Sequence, residues 1–319
     1  MKNHSFEELR TIMEQASSIV LTGHINPDGD AIGAVLALAS SLEQLGKQVF
    51  VVLEPFGTKY EGIPNQHLIV EKEAVPSQVD LFIALDCGDF GRLDWLSDLF
   101  QNVKTTINID HHSSNTYFAE YNHVEGESSS TCEVVYKLIK DFFPLDANIA
   151  TALYAGLIYD TAGFRHSSTS PFTMEMAADL MGYGIPFVQI YADFFDRRSF
   201  TEMKAMGLAL AKAEVLFDGK LSYTSMTEAE VQSVGSNGKE LDGIINYIRG
   251  VEGTKVACFL YEKGANDIKI SLRGTDGYDV AALAKKFGGG GHIKAAGGSF
   301  AGKIEEAREA VLAEIAKMI

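Results

Sequence analysis

The sequence has 319 residues, of which 46% are hydrophobic and 22% charged, proportions typical of a globular protein with one large or two ordinary domains. Its formal net charge of −16 argues against a long nucleic-acid track, which needs a basic surface, but allows a small phosphate ester held by local cations and metal ions. No apolar run approaches the ~18 residues of a membrane span, the opening MKNHSFEELR lacks the apolar core of a signal peptide, and three scattered cysteines predict reduced thiols, so we expect a cytoplasmic protein without a membrane partner.

The first half of the chain alternates short apolar runs with longer helical patterns. SSIVLTG at 17–23 predicts a buried strand, and AIGAVLALASSLEQLGK at 31–47 predicts a long helix that packs closely through small residues. Further strands are predicted at 48–54, 80–89 and 105–112, and further helices at 6–16, 131–142, 147–160 and 171–182. This alternation predicts an α/β fold with a mostly parallel sheet and helices on both faces, in which sites form at the carboxyl ends of the strands.

The character of the sequence changes near residues 185–200. Beyond that point the predicted order is a helix, the strand KLSYTSMT, the helix DGIINYIRG, the strands KVACFLYE and DIKISLRG, the helix DVAALAKKF, a glycine cluster, a short strand and a final helix. We therefore expect a second, smaller α/β domain with antiparallel pairing. The predicted division is a first domain at 1–185, a linker at 186–200 and a second domain at 201–319.

The stretch GHINPDGDAIGA, residues 23–34, carries His24, Asp28 and Asp30 within seven residues. A plain turn is the alternative explanation, because Asn, Pro, Asp and Gly are turn residues and Asp30 could cap the helix that follows. A turn of that kind needs only one of these polar groups, whereas all three are able to bind a metal ion.

Three further polar clusters follow the predicted elements. Asp86 and Asp89 end the strand DLFIALDCGD, and for Asp89 we favour a capping role. NIDHHSSN places the run 110–112, Asp-His-His, after another strand, where the alternative is a loop with two ordinary histidines. Asp160 lies near the end of an apolar helix, where a carboxylate is costly to bury unless it is paired or bound to a metal.

Four carboxylates should converge at one end of the predicted sheet: Asp28, Asp30, Asp86 and Asp160. Such groups repel one another, and two divalent cations would neutralise them. Mixed carboxylate and imidazole ligands favour Mn²⁺, with Mg²⁺ as the alternative. Asp86 is the expected bridging ligand between the two ions.

FGGGGHIKAAGG at 287–298 predicts an anion-binding segment. Consecutive glycines leave the backbone N–H groups open to a ligand, Lys294 adds positive charge, and Arg273 can grip a phosphate with two hydrogen bonds. A flexible loop is the alternative. The predicted substrate-binding residues are Arg273, Gly288, Gly289, Gly290, Gly291 and His292.

Together these residues resemble the DHH phosphoesterases, a family named for the Asp-His-His run that stands here at 110–112. The four N-terminal clusters occur in the family's order, and the glycine cluster with Arg273 resembles the DHHA1 domain. Within the family the sequence is similar to the NanoRNase, or oligoribonuclease, type. That resemblance implies cleavage of very short RNA oligonucleotides to mononucleotides, removal of the 3′-phosphate from 3′-phosphoadenosine 5′-phosphate (pAp), and an active site in a cleft between the two domains.

The resemblance also implies roles for individual residues. One metal ion would be held by His24, Asp28 and Asp86, and the other by Asp30, Asp86, His111 and Asp160. His112 would contact the substrate phosphate or assist the leaving group, and Asp110 would orient the neighbouring histidines. His112, Asp110 and Asp86 are therefore the predicted catalytic residues.

Two alternative functions remain open at this stage. One is a phosphodiesterase of linear or cyclic dinucleotides such as pApA or cyclic di-AMP, although relatives with the cyclic activity often carry membrane and sensory segments. The other is a non-catalytic nucleotide sensor, which would be marked by lost metal ligands, and none of the expected ligands is lost. The sequence leaves the base preference, the direction of attack and the oligomeric state open, with a homodimer as one alternative.

Overall fold

The computed structural model describes residues 3–241 and 243–319, and these fold as two compact units. The first unit ends at Arg197, and the second is Arg198–Ile319. The predicted linker at 186–200 contains a short helix, Phe187–Tyr191, and a π-helical turn, Ala192–Asp196. The predicted domain boundaries stay a prediction.

The first unit is built on a five-stranded parallel sheet. Its strands are β1 (Ser18–Thr22), β2 (Gln48–Val51), β3 (Leu81–Leu85), β4 (Thr105–Asp110) and β5 (Tyr121–Val124). The spatial order is β2-β1-β3-β4-β5, so the chain changes direction across the sheet between β1 and β3. Crevices outside the carboxyl ends of strands at such a switch point are the usual ligand sites of parallel sheets.

Helices cover both faces of this sheet, as predicted. They are α1 (Phe6–Gln15), α2 (Gly29–Gln44), α3 (Ser97–Asn102), α4 (Thr131–Phe142), α5 (Ala147–Asp160), α6 (Pro171–Met181) and α7 (Phe187–Tyr191). The close packing predicted for α2 is confirmed at two glycines. A Cβ on Gly33 of α2 would lie 2.5 Å from the carbonyl oxygen of Ala152 in α5, and one on Gly156 of α5 would lie 3.0 Å from Cα of Asp30 in α2.

The second unit contains a six-stranded mixed sheet of order β10-β11-β9-β8-β7-β6. The strands are β6 (Glu214–Leu216), β7 (Leu221–Met226), β8 (Val256–Gly264), β9 (Asp267–Gly274), β10 (Gly290–His292) and β11 (Ala295–Ala301). All pairs are antiparallel except β7 with β8, which is parallel. The sheet is accompanied by α8 (Phe200–Ala211), α9 (Glu228–Ser233), α10 (Ile244–Arg249), α11 (Val280–Lys285) and α12 (Ile304–Ile315).

The second sheet buries separate apolar clusters on its two faces. Strand β9 alternates buried and half-buried residues, as expected for a strand with one face in the core. Asp242, at the start of the predicted helix DGIINYIRG, lies outside the described residues. Among the helices that the structure describes, none combines the length and the apolar character needed to cross a membrane.

Candidate metal centre

The segment after β1 presents three of the predicted ligands. Its chain turns at Asn26, whose φ of 52° lies in the left-handed region that asparagine tolerates. Asp28 is the N-cap of α2, because its Oδ1 accepts hydrogen bonds from the backbone N–H groups of Asp30 at 2.9 Å and Ala31 at 3.2 Å. The alternative in which Asp30 caps this helix is therefore wrong, and the side chain of Asp30 makes different contacts.

Asp30 is buried against the beginning of α4. Its Oδ2 accepts a hydrogen bond from the backbone N–H of Thr131 at 2.6 Å, and its Oδ1 accepts one from Cys132 at 2.9 Å. The unpaired N–H groups at a helix start favour a negative charge. Burial and the charges of Asp86 and Asp160 act in the opposite direction and raise the pKa of Asp30 well above its usual value.

Asp86 lies at the centre of the cluster, immediately after β3. Its side chain is buried, and its oxygens lie 3.5 Å from Nε2 of His24, 3.7 Å from Nε2 of His111 and 3.6 Å from Nδ1 of His112. The hydroxyl of Thr131 donates to its Oδ1 at 2.9 Å. Burial favours the neutral acid, but the contact with His24 and the charges of the three imidazoles outweigh burial and lower the pKa of Asp86.

Two of the histidines have the orientation expected of metal ligands. Nδ1 of His24 lies 2.8 Å from the carbonyl oxygen of Ile25, and Nδ1 of His111 lies 3.2 Å from that of Ser128. A carbonyl only accepts, so the neutral form of each ring carries its proton on Nδ1 and leaves the lone pair of Nε2 available to a metal ion. A backbone carbonyl that fixes the tautomer in this way is typical of metal-binding histidines.

His112 is held differently from its neighbour. Its Nδ1 lies 2.7 Å from Oδ1 of Asp110, a fully buried carboxylate that also accepts hydrogen bonds from Asn115 and from the backbone N–H of His111. The hydrogen bond that His112 donates to Asp110 outweighs partial burial and raises the pKa of His112 to about 9. His112 is half exposed and therefore offers a positive charge on the open side of the cluster at neutral pH.

The ligand atoms are close enough to hold metal ions. In three groups, single atoms of each member lie within 4.8 Å of one another: His24, Asp28 and Asp86; Asp30, His111 and Asp160; and Asp86, His111 and His112. Burial and the negative charges of Asp86 and Asp28 raise the pKa of Asp160 to about 6, although the neighbouring His111 opposes this. Crowded carboxylates with raised pKa values, beside imidazoles with a free Nε2, fit divalent cations because cations relieve the repulsion between them.

Two carboxylates of the predicted clusters, Asp160 and Asp89, lie at the ends of helices. Asp160 is the last residue of α5, and its Oδ2 lies 3.5 Å from Nε2 of His111. Asp89 caps a 3₁₀ helix by accepting a hydrogen bond from the backbone N–H of Gly91 at 2.8 Å, which confirms the favoured capping role.

The predicted substrate-binding residues lie together in the second unit. His292 on β10 and Arg273 on β9 both pair with Ala295 of β11, so their side chains leave the same face of the sheet. His292 is exposed, and Nη1 of Arg273 donates to the carbonyl of Leu272 at 3.0 Å. Lys294 forms an ion pair with Asp276, with Nζ and Oδ1 2.6 Å apart, so its charge is partly balanced.

Different structural constraints explain the presence of glycine at different positions of this segment. A Cβ on Gly289 would lie 1.9 Å from the carbonyl oxygen of Gly297, and one on Gly291 would lie 2.6 Å from that of Ala295. Close approach of β10 to β11 therefore explains these two glycines without a ligand. A Cβ on Gly288 or on Gly290 would meet nothing within 4 Å, so no close neighbour requires either glycine, and Gly288 has a φ of 65°, which favours glycine.

Several residues that shape the centre were missed in the sequence. Thr131 and Cys132 supply the backbone N–H groups for Asp30, and Ser128 supplies the carbonyl for His111. In the sequence, the polar run GESSST at 126–131, where a predicted helix begins, was the pattern that pointed to these residues. Asn108 and Asn115 are buried beneath the cluster, and the signal for Asn108 was one amide in the otherwise apolar end of its strand.

Comparison with known proteins identifies the family of this chain. The model of the DHH family, N-terminal domain, matches residues 18–157, and that of the DHHA1 domain matches residues 223–318. The chain belongs to the DHH family of phosphoesterases, within the group that combines these two domains. The bifunctional oligoribonuclease and PAP phosphatase NrnA of Thermus thermophilus is 32% identical, over 96% of this chain and 93% of that protein.

Two other comparisons extend over similar lengths. The bifunctional oligoribonuclease and PAP phosphatase NrnA of Bacillus subtilis is 24% identical, over 92% of each chain. The crystal structure of an exopolyphosphatase-related protein from Bacteroides fragilis is similar with a TM-score of 0.85 and 28% identity, covering 97% of this chain and 94% of that one. The similarity therefore includes both units of the fold.

Proposed function

We propose that this protein is a metal-dependent phosphohydrolase that degrades very short RNA oligonucleotides to mononucleotides and dephosphorylates pAp. The observation that carries the proposal is the convergence of four carboxylates and three imidazoles at the carboxyl end of the parallel sheet. The activities for which the Thermus and Bacillus relatives are named support the same substrates. The acidic composition supports small substrates, because most of the surface would repel long RNA.

The metal-binding groups would divide between two cations. His24, Asp28 and Asp86 would hold one ion, and Asp30, His111 and Asp160, together with Asp86, would hold the other. Two divalent cations in such a site supply a nucleophile from water at neutral pH and neutralise charge on the phosphoryl group. The imidazole ligands favour Mn²⁺, because Mg²⁺ prefers an all-oxygen site.

His112 is proposed to act on the substrate and Asp110 to position it. With a pKa of about 9, the imidazole is protonated at neutral pH, so Nε2–H can donate to a phosphate oxygen or give its proton to the leaving O3′. Asp110 fixes the ring through Nδ1 and is itself buried, so it would not contact substrate directly. Cleavage at the P–O3′ bond would release a 5′-mononucleotide from an oligomer or phosphate from pAp.

The face of the second sheet that carries Arg273 and His292 is proposed to hold a substrate phosphate. Two cationic or donating side chains on one face, beside Gly288 and Gly290, whose Cβ positions are unobstructed, support this role. The cleft expected between the two domains and the cytoplasmic location remain predictions.

The test is a turnover assay with Mn²⁺ and an EDTA control. A 5′-labelled RNA dinucleotide, a long RNA, pAp, pyrophosphate and cyclic di-AMP are compared in parallel. Fast EDTA-sensitive turnover of the dinucleotide or pAp, with the long RNA spared, is the expected result. Activity confined to cyclic di-AMP would instead support the dinucleotide phosphodiesterase, and silence on every substrate would support the nucleotide sensor.

A further inference from the structure

Two buried asparagines, Asn108 and Asn115, lie next to the proposed metal ligands. None of the hydrogen bonds described for their side chains involves an atom that would bind a metal ion. Asn108, in β4, is fully buried, and Asn115 lies in the loop that follows. Nδ2 of Asn108 donates to the carbonyl oxygens of Ala84 and Cys87, each at 3.2 Å. These two carbonyls precede and follow Asp86, so Asn108 fixes the backbone on both sides of the central carboxylate.

Asn115 connects Asn108 to the carboxylate of Asp110. Its Nδ2 donates to Cys87 at 3.1 Å, to Oδ1 of Asn108 at 2.8 Å and to Oδ2 of Asp110 at 2.5 Å. Its own Oδ1 accepts a hydrogen bond from the backbone N–H of Tyr117 at 2.6 Å. The two amides therefore join the chain at the ends of β3 and β4. Asn115 also binds Asp110, which orients His112.

The backbone at Asp86 has an uncommon conformation. Its φ of 58° lies in the left-handed region, which aspartate adopts more readily than most residues but which still costs free energy, so hydrogen bonds to the neighbouring backbone help to hold it. The backbone N–H of Asp86 donates to the carbonyl oxygen of Ile109 at 3.0 Å, which continues the strand ladder. Beside it, Asn108 binds the carbonyl oxygen of Ala84, two residues before Asp86, and both asparagines bind that of Cys87, one residue after it.

We propose that Asn108 and Asn115 form a clamp that positions Asp86 and Asp110 and so sets the affinity of the centre for metal ions. Both are positioning residues, since they act through the carboxylates rather than on the substrate. This inference rests on the proposed function, because it requires that Asp86 bind metal. Outer partners of metal ligands commonly control metal affinity by 10- to 100-fold.

The experiment compares Asn108→Ala and Asn115→Ala with the matched control Asn122→Ala. Asn122 is a buried asparagine in β5. The hydrogen bonds described for its side chain are both with the backbone of Ala119: Nδ2 of Asn122 donates to the Ala119 carbonyl oxygen at 2.7 Å, and Oδ1 accepts from the Ala119 N–H at 3.2 Å. Thermal melting tests each variant for folding. Free Mn²⁺ is then titrated by electron paramagnetic resonance, and pAp turnover is measured over a range of Mn²⁺ concentrations.

The expected result is about 10- to 100-fold weaker Mn²⁺ binding in both clamp variants, unchanged binding in the control, and turnover restored by excess Mn²⁺. A merely structural role would lower the melting temperature without moving the Mn²⁺ titration. If Asn108→Ala does not fold, Asn115→Ala decides the outcome. Clamp variants that bind Mn²⁺ as tightly as the control overturn this inference alone, whereas a wild-type protein that binds no Mn²⁺ overturns the proposed function and the inference with it.

Discussion

Replacing Asp86 by Asn tests the centre most directly. The change removes one negative charge and keeps the size of the side chain, and asparagine tolerates the left-handed backbone found at this position. Asp86 lies 3.5–3.7 Å from three imidazole nitrogens. These distances are too long for hydrogen bonds, so the main effect of the substitution is on the metal ions: losing the carboxylate that would serve both ions should cost about 4 kcal/mol of transition-state stabilisation. That loss corresponds to about a thousandfold lower kcat/KM.

The assay measures hydrolysis of the RNA dinucleotide and of pAp at saturating Mn²⁺. The matched control is Asp89→Asn, three residues along, where the carboxylate only caps a 3₁₀ helix and asparagine is an equally good cap. We expect this control to keep wild-type activity. An Asp86→Asn enzyme within about tenfold of wild type, with unchanged Mn²⁺ affinity, would refute the reasoning that Asp86 bridges the centre.

Three further outcomes are expected. Mn²⁺ affinity should fall as the pH drops below about 7, because protons compete with Mn²⁺ for carboxylates whose pKa values are raised. Below the pKa of about 6 at Asp160, the affinity should fall about tenfold or more per pH unit, and a Mn²⁺ titration that is flat from pH 8 to 5 would contradict this. Mn²⁺ at about 100 times its Kd should add about 2.7 kcal/mol and raise the melting temperature of the first unit by about 5–10 °C, and the same melt after Asp86→Asn should show little shift. Arg273→Ala should raise KM for pAp about 10- to 100-fold and leave Mn²⁺ affinity unchanged. The control Arg249→Ala, at an exposed arginine of the same unit, should change neither quantity. Equal KM values in the two variants would show that Arg273 does not bind the phosphate.

The elements that the sequence predicted best are those with strong local signals. The helices predicted at 131–142 and 147–160 match α4 and α5 at both ends. Ser130 and Asp146 cap them by accepting hydrogen bonds from Glu133 and Ile149, and such caps are visible in sequence. The order of the carboxylate clusters along a parallel sheet likewise predicted which side chains meet.

What the sequence did not predict depends on contacts made by distant residues. Strand β5, with the sequence YNHV, is short and polar, and it is held by pairing with β4 and by a hydrogen bond from His4 to Asn122. No strand was predicted within the glycine cluster, yet Gly290–His292 pair with β11. Asn115 joins the site only through contacts with residues on two strands, which no local pattern indicates.

The double hydrogen bond between Asp30 and the start of α4 has a consequence for recognising inactive relatives. Because this buried carboxylate joins α2 to α4, a descendant that abandoned catalysis would still need it to fold. Retention of Asp30 is therefore poor evidence of activity in a related sequence. Asp160, whose side chain is partly exposed, and His111, whose Nε2 faces the cluster, are better diagnostic positions, since their loss would remove ligands at little structural expense.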